Sequence, residues 1–435
     1  MKYMKSILLI FAVFCLFASA LAQTSTGVVV GRVVDQNQAV VQNADVVLRN
    51  IGTGAERRTK SDVHGDYLLV AVQPGRYTIT ATSAGFAPAT MTLDVTIAAS
   101  TQVNLTLGVQ GASENLVVGG NGIAVQTRDA QLGLTINERL ITSLPTLNPS
   151  LYTLAYGAPG TSSGSSLRGI DVSANGQRVS SGNFILDGGE NDDVFAATPG
   201  LDVPRDAVQE IRVQTNHFQS EYGRNSGFIV NVVTKSGSNS FHGSAYWFNV
   251  NSGFAANSFN NNANGLKRPV SNANQFSLAA GGPIRKDKLF FFGSFMPDIR
   301  RTSSQATFFV PTSELLAVSS PASQALMQKY PVVTRNLSTT NVTIRTVCPY
   351  GKTCTGGANQ VTIPAFAFGS QLGGNSNDIY RATGRIDYNL SERTQMFGRY
   401  ALDRATIRQH GLQPYGDDFD VRIQERNQNL LLDLT

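Results

Sequence analysis

The sequence is poor in histidine and cysteine, with four and three residues, and it has few long apolar runs. Beyond its first residues, no apolar run approaches the roughly 20 residues that a membrane-spanning helix needs, so a membrane role would have to use β-strands. The four histidines begin no H-x-x-E or H-E-x-x-H pattern, which argues against a zinc peptidase site. They are His64, His217, His242 and His410.

The charge of the chain is close to balanced. The formal net charge of +5 falls to +3 when Lys2 and Lys5, the two charged residues among the first 22, are left out. Lysine and arginine form no run with interleaved aromatic residues. Nucleic acid is therefore not expected as a partner.

The first 22 residues have the pattern of a secretory signal peptide. Two lysines precede an apolar run over Ile7–Phe17, and Ala20-Leu21-Ala22 supplies a small-residue cleavage site. A run of about 11 residues is too short to cross a hydrocarbon core of ~30 Å at ~1.5 Å per residue. We therefore predict a signal peptide over residues 1–22 and export of the remainder.

The exported part retains two cysteines, Cys348 and Cys354, in a polar segment. In an oxidising compartment, such a close pair favours a small disulfide loop over free thiols. A metal site would need further cysteine or histidine ligands close by, and the segment has none.

Two strings match enzyme motifs in letters but not in context. GTSSG at 160–164 has the form of a nucleophile elbow, yet it lies in a Gly/Ser-rich stretch rather than between a strand and a helix. GKT at 351–353 lacks the first glycine of a phosphate-binding loop, because Thr346 occupies that place. We predict no catalytic residue, no cofactor and no metal, and hence no enzyme.

Residues 23–108 have the pattern of a small β-sandwich. Short β-branched runs alternate with Gly-, Pro- and Asp-containing turns, as in sandwich domains. The strings GRVVD at 31–35, GDY at 65–67, PGRY at 74–77 and AGF at 84–86 resemble the carboxypeptidase regulatory-like domain. The resemblance implies a transthyretin-like, carbohydrate-binding-like fold and does not imply peptidase activity.

Residues 125–239 mix helix and strand signals, with a helix predicted over Asn137–Ser143 before Pro145. Four strings occur in order: NGQR at 175–178, LDG at 186–188, EYGR at 221–224 and VNVVTKSG at 230–237. They resemble the plug domain of TonB-dependent receptors of the Oar-like group, which implies a small α/β plug inside a barrel. Asn, Gly and Asp at the turns suit positive φ angles.

The linker at 109–124 contains a short acidic-then-apolar string: Glu114, Asn115, Leu116, Val117 and Val118. By its position it resembles a TonB box, a segment that adds to the sheet edge of TonB. The alternative interpretations of this string are the last strand of the sandwich and a plain linker.

From residue 240 onward, the sequence has the pattern of a transmembrane antiparallel β-barrel. In 381–388, the residues Arg381, Thr383, Arg385 and Asp387 alternate with Ala382, Gly384, Ile386 and Tyr388. Alternation of this kind suits a strand between lipid and a polar lumen. Phe397 breaks the pattern of the next strand, and the segment from Pro297 to about Asp378 reads as a long extracellular loop.

Only about six barrel strands can be counted in 240–435, fewer than the roughly 22 of barrels that enclose a plug. We therefore expect a mainly β chain with a sandwich, a plug and the first strands of an incomplete barrel, as in an N-terminal fragment. The resemblance implies TonB-dependent uptake or export of a ligand that the sequence does not name. Expected partners are outer-membrane lipid and the TonB–ExbB–ExbD complex.

Four charged residues are candidates for polar contacts between plug and barrel, because buried charges need partners. They are Arg168, Arg178, Asp187 and Arg224. The alternative for each is a solvated turn. Two rival functions are an outer-membrane-anchored carbohydrate- or peptide-binding adhesion protein and an exported hydrolase, the second disfavoured by the missing catalytic residues.

If the segment 297–378 is exposed at the cell surface, a protease added to intact cells should cut there. The fragments can be mapped by mass spectrometry of isolated outer membranes. A segment that is cut only after the cells are lysed would contradict the predicted orientation.

Overall fold

The structure, a computed structural model, is mostly β and describes 13 stretches of the chain. They are residues 26–109, 132–143, 150–163, 172–193, 198–218, 222–223, 225–263, 265, 267–332, 337–391, 394–410, 414–415 and 419–435. The predicted signal peptide and the segment 114–118 lie outside the described residues, as do Arg168 and Arg224.

The first part of the chain, residues 27–109, folds as a sandwich of two sheets, which we call the N-terminal sandwich. One sheet has the order β4-β1-β9-β6 with β8 also paired to β1, and the other has the order β3-β2-β5-β7. The strands are β1 Gly27–Asp35, β2 Asp45–Asn50, β3 Glu56–Lys60, β4 Asp66–Val72, β5 Gly75–Thr82, β6 Phe86–Ala87, β7 Ala89–Val95, β8 Ser100–Gln102 and β9 Leu105–Val109.

The core of the sandwich follows from the alternation of its strands. Val46 and Leu48 of β2 face Ile79 and Ala81 of β5 and are fully buried, whereas the residues between them point outward. Strand β3 has the sequence ERRTK and carries no apolar residue. The sequence therefore shows no strand pattern there, and the strand is defined by its pairing with β2.

Residues 132–235 form a second unit, which we call the central domain. Its main sheet has the order β10-β15-β16-β13-β14, with β13 parallel to β16. The elements are β10 Leu132–Asn137, α1 Glu138–Ser143, β11 Thr161–Ser163, β12 Val172–Ala174, β13 Gly182–Leu186, β14 Gly189–Glu190, β15 Val208–Asn216 and β16 Phe228–Thr234, with 3-10 turns at Leu151–Gly157, Val179–Ser181 and Arg205–Ala207.

The core of the central domain surrounds strand β16. Every residue of this strand is buried, as expected of a nearly continuous apolar run covered on both faces. On one face, the ring of Phe184 lies edge-on to Tyr152 and to Phe228, with centroid distances of 5.2 and 5.7 Å. The predicted helix is present as α1, and the Asn137 side chain caps it by accepting from the backbone N–H of Leu140 at 3.1 Å.

The third unit is one antiparallel sheet of long strands, which we call the long-strand sheet. Its order is β17-β18-β19-β21-β22-β23, and β20 pairs with the far part of β21. The strands are β17 His242–Asn251, β18 Ser271–Arg285, β19 Leu289–Pro311, β20 Leu337–Val347, β21 Val361–Asn389, β22 Gln395–His410 and β23 Val421–Leu434, and short helices α2 Phe259–Ala263, α3 Ser313–Ala317 and α4 Pro321–Lys329 lie between them. None of the helices that the structure describes is both long and apolar enough to cross a bilayer.

Strands β18 and β21 of the long-strand sheet bury a polar face and expose an apolar face. Arg381, Thr383, Arg385 and Asp387 of β21 are all buried, whereas Ile386 is 53% exposed. The same inversion occurs in β18, where Ser277 is buried and Leu278 is 61% exposed. The predicted two-faced strands are therefore confirmed, with the charged side turned toward the central domain.

The predicted loop 297–378 was wrong in its extent. Strand β19 continues to Pro311 and β21 begins at Val361, so the two strands stay paired from Leu289↔Tyr388 to Pro311↔Phe366. Over 302–307 and 369–377, mostly polar and small residues occupy both faces, so the sequence shows no apolar alternation there that would reveal a strand.

Lysine in place of Leu278 should destabilise the protein in lipid vesicles by up to about 2–4 kcal/mol, because a charge on the outward face would enter hydrocarbon. The measurement is reversible urea unfolding from vesicles, followed by tryptophan fluorescence. Thr355→Lys, at an exposed position in the β20–β21 turn, is the matched control and should leave the transition in place. Equal, small effects of both changes would mean that the outward face does not contact lipid.

Candidate contact site between the central domain and the long-strand sheet

Asp187 occupies a turn that presents its carboxylate to the long-strand sheet. It follows β13 with φ +52°, and Gly188 follows with φ +83°, so the LDG string forms a left-handed turn. Its backbone N–H donates to the Val232 carbonyl at 2.8 Å. The carboxylate accepts from the Thr234 N–H at 2.7 Å and from the Thr234 hydroxyl at 2.8 Å, which fixes its orientation.

Two arginines of the long-strand sheet reach this carboxylate. Arg399 Nε lies 2.7 Å from Asp187 Oδ2, and Arg385 Nη1 lies 3.3 Å from Asp187 Oδ1. The Arg399 side chain has 0% exposure, so Asp187 is the anion that makes its burial tolerable. Arg385 also donates to Asp387 at 2.8 Å.

Phe397 belongs to the same group. Its ring lies under the Arg385 guanidinium, with 3.8 Å between the ring centroid and Cζ, and Phe397 is buried. The aromatic residue that breaks the polar face of β22 is therefore the platform on which a buried arginine stacks.

A second contact joins Asp202 of the central domain to Arg381 and Asp403 of the long-strand sheet. Arg381 Nη2 lies 3.4 Å from Asp202 Oδ2, and Arg381 Nε lies 3.5 Å from Asp403 Oδ2. The Asp202 backbone N–H donates to Asp403 Oδ2 at 3.2 Å. Burial raises the pKa of the Asp202 carboxyl, and the nearby Arg381 charge opposes that rise.

In a third contact, the partners from the long-strand sheet are uncharged hydroxyl groups. The buried carboxylate of Asp206 accepts from the Ser277 hydroxyl at 2.7 Å and from the Ser294 hydroxyl at 3.0 Å. Asp187, Asp202 and Asp206 therefore anchor the central domain to β18, β19, β21 and β22 through hydrogen bonds and ion pairs. We call these three groups of contacts the polar seam.

The polar seam is suited to holding two parts in register rather than to catalysis. A buried ion pair contributes little net stability compared with apolar packing, but loss of one partner is costly. Within the residues that the structure describes, no three His, Cys, Asp or Glu side chains are placed to hold a metal ion.

Of the four charged residues singled out in the sequence, the structure places Asp187 in the polar seam. Arg178 is exposed and lies just before a 3-10 turn, and it takes no part in the seam. Arg168 and Arg224 lie outside the described residues. Among the charged seam residues not singled out as contacts are Asp202, Asp206, Arg381, Arg385, Arg399 and Asp403. For the three arginines, the alternation of β21 and β22 was the available signal.

Cys348 and Cys354 are joined by a disulfide with Cα atoms 5.9 Å apart. The bridge closes the turn between β20 and β21, and Cys348 Sγ lies 3.3 Å from the Lys352 carbonyl oxygen. The loop is at the end of the long-strand sheet away from the turn at 286–288 and from the end of β21 at Asn389.

Comparison with known proteins gives matches to both ends of the chain. A family model for the outer membrane beta barrel domain matches residues 233–435, and one for the carboxypeptidase regulatory-like domain matches residues 28–108. The TonB-dependent transporter Oar of Myxococcus xanthus is 26% identical over 308 residues, which cover 65% of this chain and 28% of that protein. The chain thus spans less than a third of the length of this curated relative.

Solved structures of outer-membrane receptors are also similar, at low scores. The siderophore receptor PirA from Acinetobacter baumannii has a TM-score of 0.36 and 11% identity, covering 69% of this chain and 44% of that chain. The outer membrane transporter YddB from Escherichia coli has a TM-score of 0.30 and 12% identity, covering 69% and 54%.

Replacing Asp187 by Asn should weaken the polar seam by about 3–5 kcal/mol, because Arg399 would lose its charge partner while remaining buried. Asparagine tolerates positive φ and keeps one accepting oxygen, so the change removes the charge and one of the two acceptors while leaving the turn in place. The measurement is urea unfolding in lipid vesicles. Replacing Arg399 by Met in the same variant should recover part of the loss.

The matched control is Asp66→Asn, which removes an ion pair with Arg32 on the surface of the N-terminal sandwich. Both of those side chains are about half exposed, so the transition should not move measurably. Identical effects of the two Asp→Asn changes would contradict a buried charge at Asp187.

Proposed function

We propose that this homologue of the TonB-dependent transporters moves a ligand across the outer membrane, by energised uptake or export. The chain carries a carboxypeptidase regulatory-like domain and an outer-membrane β-barrel domain, and its location is the outer membrane. In this proposal, the central domain is the plug of residues 125–239 and the long-strand sheet is the first part of the barrel wall in 240–435. The signal peptide of residues 1–22 directs export.

The polar seam is the observation that carries the proposal. A wall that faces lipid on one side must turn its charges to the other side, and those charges must be met by a partner. Asp187 and Asp202 supply that partner for the arginines, and Asp206 accepts hydrogen bonds from two hydroxyls of the wall. The central domain therefore fits the role of a body enclosed by the wall.

A seam of this chemistry can be opened and closed. When hydrogen bonds and ion pairs separate in a wet lumen, water replaces the lost partners, so the net cost for each contact is small compared with its strength in isolation. Opening an apolar interface would instead expose apolar surface to water, which is unfavourable in free energy. We infer that the central domain is displaced without unfolding the wall.

The energy for that displacement would come from TonB in complex with ExbB and ExbD. Our candidate for the segment that TonB grips is Glu114–Val118, which lies between the N-terminal sandwich and the central domain. A strand-like segment with exposed backbone groups can add to a partner's sheet edge, which transmits a pull through many hydrogen bonds.

The adhesion alternative has less support. A sugar-binding sandwich would present aromatic rings to solvent, but Tyr67 and Tyr77 are buried in the core. Their hydroxyls donate to the backbone carbonyls of Val103 and Gln73 at 2.7 and 2.8 Å. These two rings are therefore used inside the sandwich.

We propose no catalytic role for the chain. The matched relative is a TonB-dependent transporter. In the GTSSG string, Thr161–Ser163 form strand β11, and the Ser162 hydroxyl lies 2.8 Å from the Ser173 hydroxyl rather than near a base. The arrangement lacks the activated nucleophile that hydrolysis requires.

Deleting residues 114–118 in a full-length relative should abolish energised uptake while leaving the protein in the outer membrane. The measurements are ligand accumulation in cells and co-purification with TonB. A deletion of equal length at 119–123 is the control and should retain most activity. Unchanged uptake after the first deletion would overturn the assignment of this segment.

A further inference from the structure

Three turns at one end of the N-terminal sandwich contact the rest of the chain. They are the β2–β3 turn at 51–55, the β4–β5 turn at 73–74 and the β7–β8 turn at 96–99. We call them the docking turns. Because they all lie at the same end, the sandwich stands end-on against the central domain and against the short turns of the long-strand sheet.

The β7–β8 turn is held by a two-sided contact on Ile97. The Ile97 backbone N–H donates to Glu210 Oε1 at 2.9 Å, and the Ile97 carbonyl accepts from Arg212 Nη1 at 3.0 Å. Glu210 and Arg212 lie two residues apart in β15 and are both buried. The backbone of Ile97 is thus hydrogen-bonded on both its N–H and its carbonyl to one acidic and one basic side chain of the central domain.

The other two docking turns make one backbone contact each. The Pro74 carbonyl accepts from Gln209 Nε2 at 2.9 Å, and the Gly52 carbonyl accepts from the Asn239 N–H at 2.9 Å. Asn239 is itself held by Asp287, with 2.8 Å between Asn239 Nδ2 and Asp287 Oδ1. At Gly54, which has φ +72°, a Cβ would lie 2.6 Å from that same Oδ1.

These contacts are polar and do not merge the two hydrophobic cores. The apolar cluster of the sandwich draws its residues from Val29 to Leu107, and the main cluster of the central domain begins at Ile136. Interfaces of this kind between domains of one chain resemble transient protein–protein contacts, for which relative motion is the default expectation.

We propose that the N-terminal sandwich is a detachable cap on the central domain, held at Ile97 and released as Glu210 loses its proton. The cap is a property of this chain's own contacts and does not depend on whether the protein transports a ligand. The domain that covers this surface of the central domain is the sandwich of the same chain, which precedes the central domain in the sequence.

The direction of the pH dependence follows from the surroundings of Glu210. Burial raises its pKa from 4.5 to about 7, opposed by the Ile97 N–H and by Arg212 and reinforced by Asp94 of β7. The residues opposite Glu210 on the flanking strands, Asn137 of β10 and Val233 of β16, carry no charge. In the proposed released state, Glu210 is exposed to water and its pKa returns toward the ordinary 4.5, so the docked state binds the proton more tightly.

An acid whose pKa is raised by docking favours the docked state at low pH. The advantage is complete below pH 4.5, is lost as the pH rises toward 7, and stays lost above it. Between pH 5.5 and 8, the docking equilibrium constant should fall by about 30-fold, by the linkage relation for a pKa that shifts from 4.5 to about 7.

Hydrogen exchange of the full chain in lipid vesicles tests the proposal, with rates corrected for the intrinsic pH dependence of exchange. In the unaltered protein, the Ile97 amide, followed in peptides covering 93–99, should lose about 30-fold in protection between pH 5.5 and 8, because its N–H donates to Glu210. Glu210→Gln keeps an acceptor for the Ile97 N–H but cannot titrate, so its protection should be equal at both pH values. Glu210→Ala should lose the protection at both.

Two controls make the result decisive. Peptides from β2 and β5 should stay protected throughout, which shows that the sandwich remains folded. Glu138→Gln changes an acid of the central domain that pairs with Lys235 and is mostly exposed, so it should behave as the unaltered protein does. If Glu210→Ala also exposes β2, the comparison between the unaltered protein and Glu210→Gln decides.

Equal protection of 93–99 at both pH values in the unaltered protein would overturn the release by Glu210. A pH response that persists in Glu210→Gln would assign the release to another group and would equally overturn the proposal.

Discussion

The burial of Arg399 constrains much of this structure. A guanidinium with no access to water must be met by an anion, because an uncompensated charge inside a protein costs several kcal/mol. Asp187 meets it from the turn after β13, where Thr234 holds the carboxylate in place. Since side chains alternate along a strand, fixing Arg399 inward sends the neighbouring Tyr400 and its registered partner Leu430 outward.

The inward orientation of Arg399 also determines which residues of the neighbouring strands point inward, because paired residues share one face of the sheet. Arg399 pairs with Arg385, and Arg385 pairs with Phe292, so the inward set of one strand selects the inward set of the next. A slip by one residue would place arginine in lipid and leucine against the central domain. The polar seam therefore acts as a register device, which is a well-attested use of buried charge.

The sequence predicted the two faces of a strand where apolar and polar residues alternate over a few positions. Alternation over 381–388 indicated the two faces, because a period of two survives any tertiary arrangement of the strand. Asp187 was one of four charged residues proposed as contacts, because buried charges need partners. The LDG string by itself indicated only a left-handed turn there. By contrast, the lengths of β19 and β21 were not visible, since polar residues on both faces leave no pattern. Asp202 and Asp206 were also missed, because nothing near them in the sequence shows that arginine and serine will arrive from strands some 70 to 200 residues away.

By itself, the sequence determined the kinds of element and their polarity: a sandwich, a mixed central domain and strands with one apolar face. These follow from spacing and composition, which act over a few residues. The tertiary structure alone decided which acid meets which base, why Phe397 stands on a polar face, and that one end of the sandwich rests on Glu210 and Arg212. These outcomes depend on non-local pairing, because the energy of a buried charge is set by whatever the fold brings within about 4 Å of it.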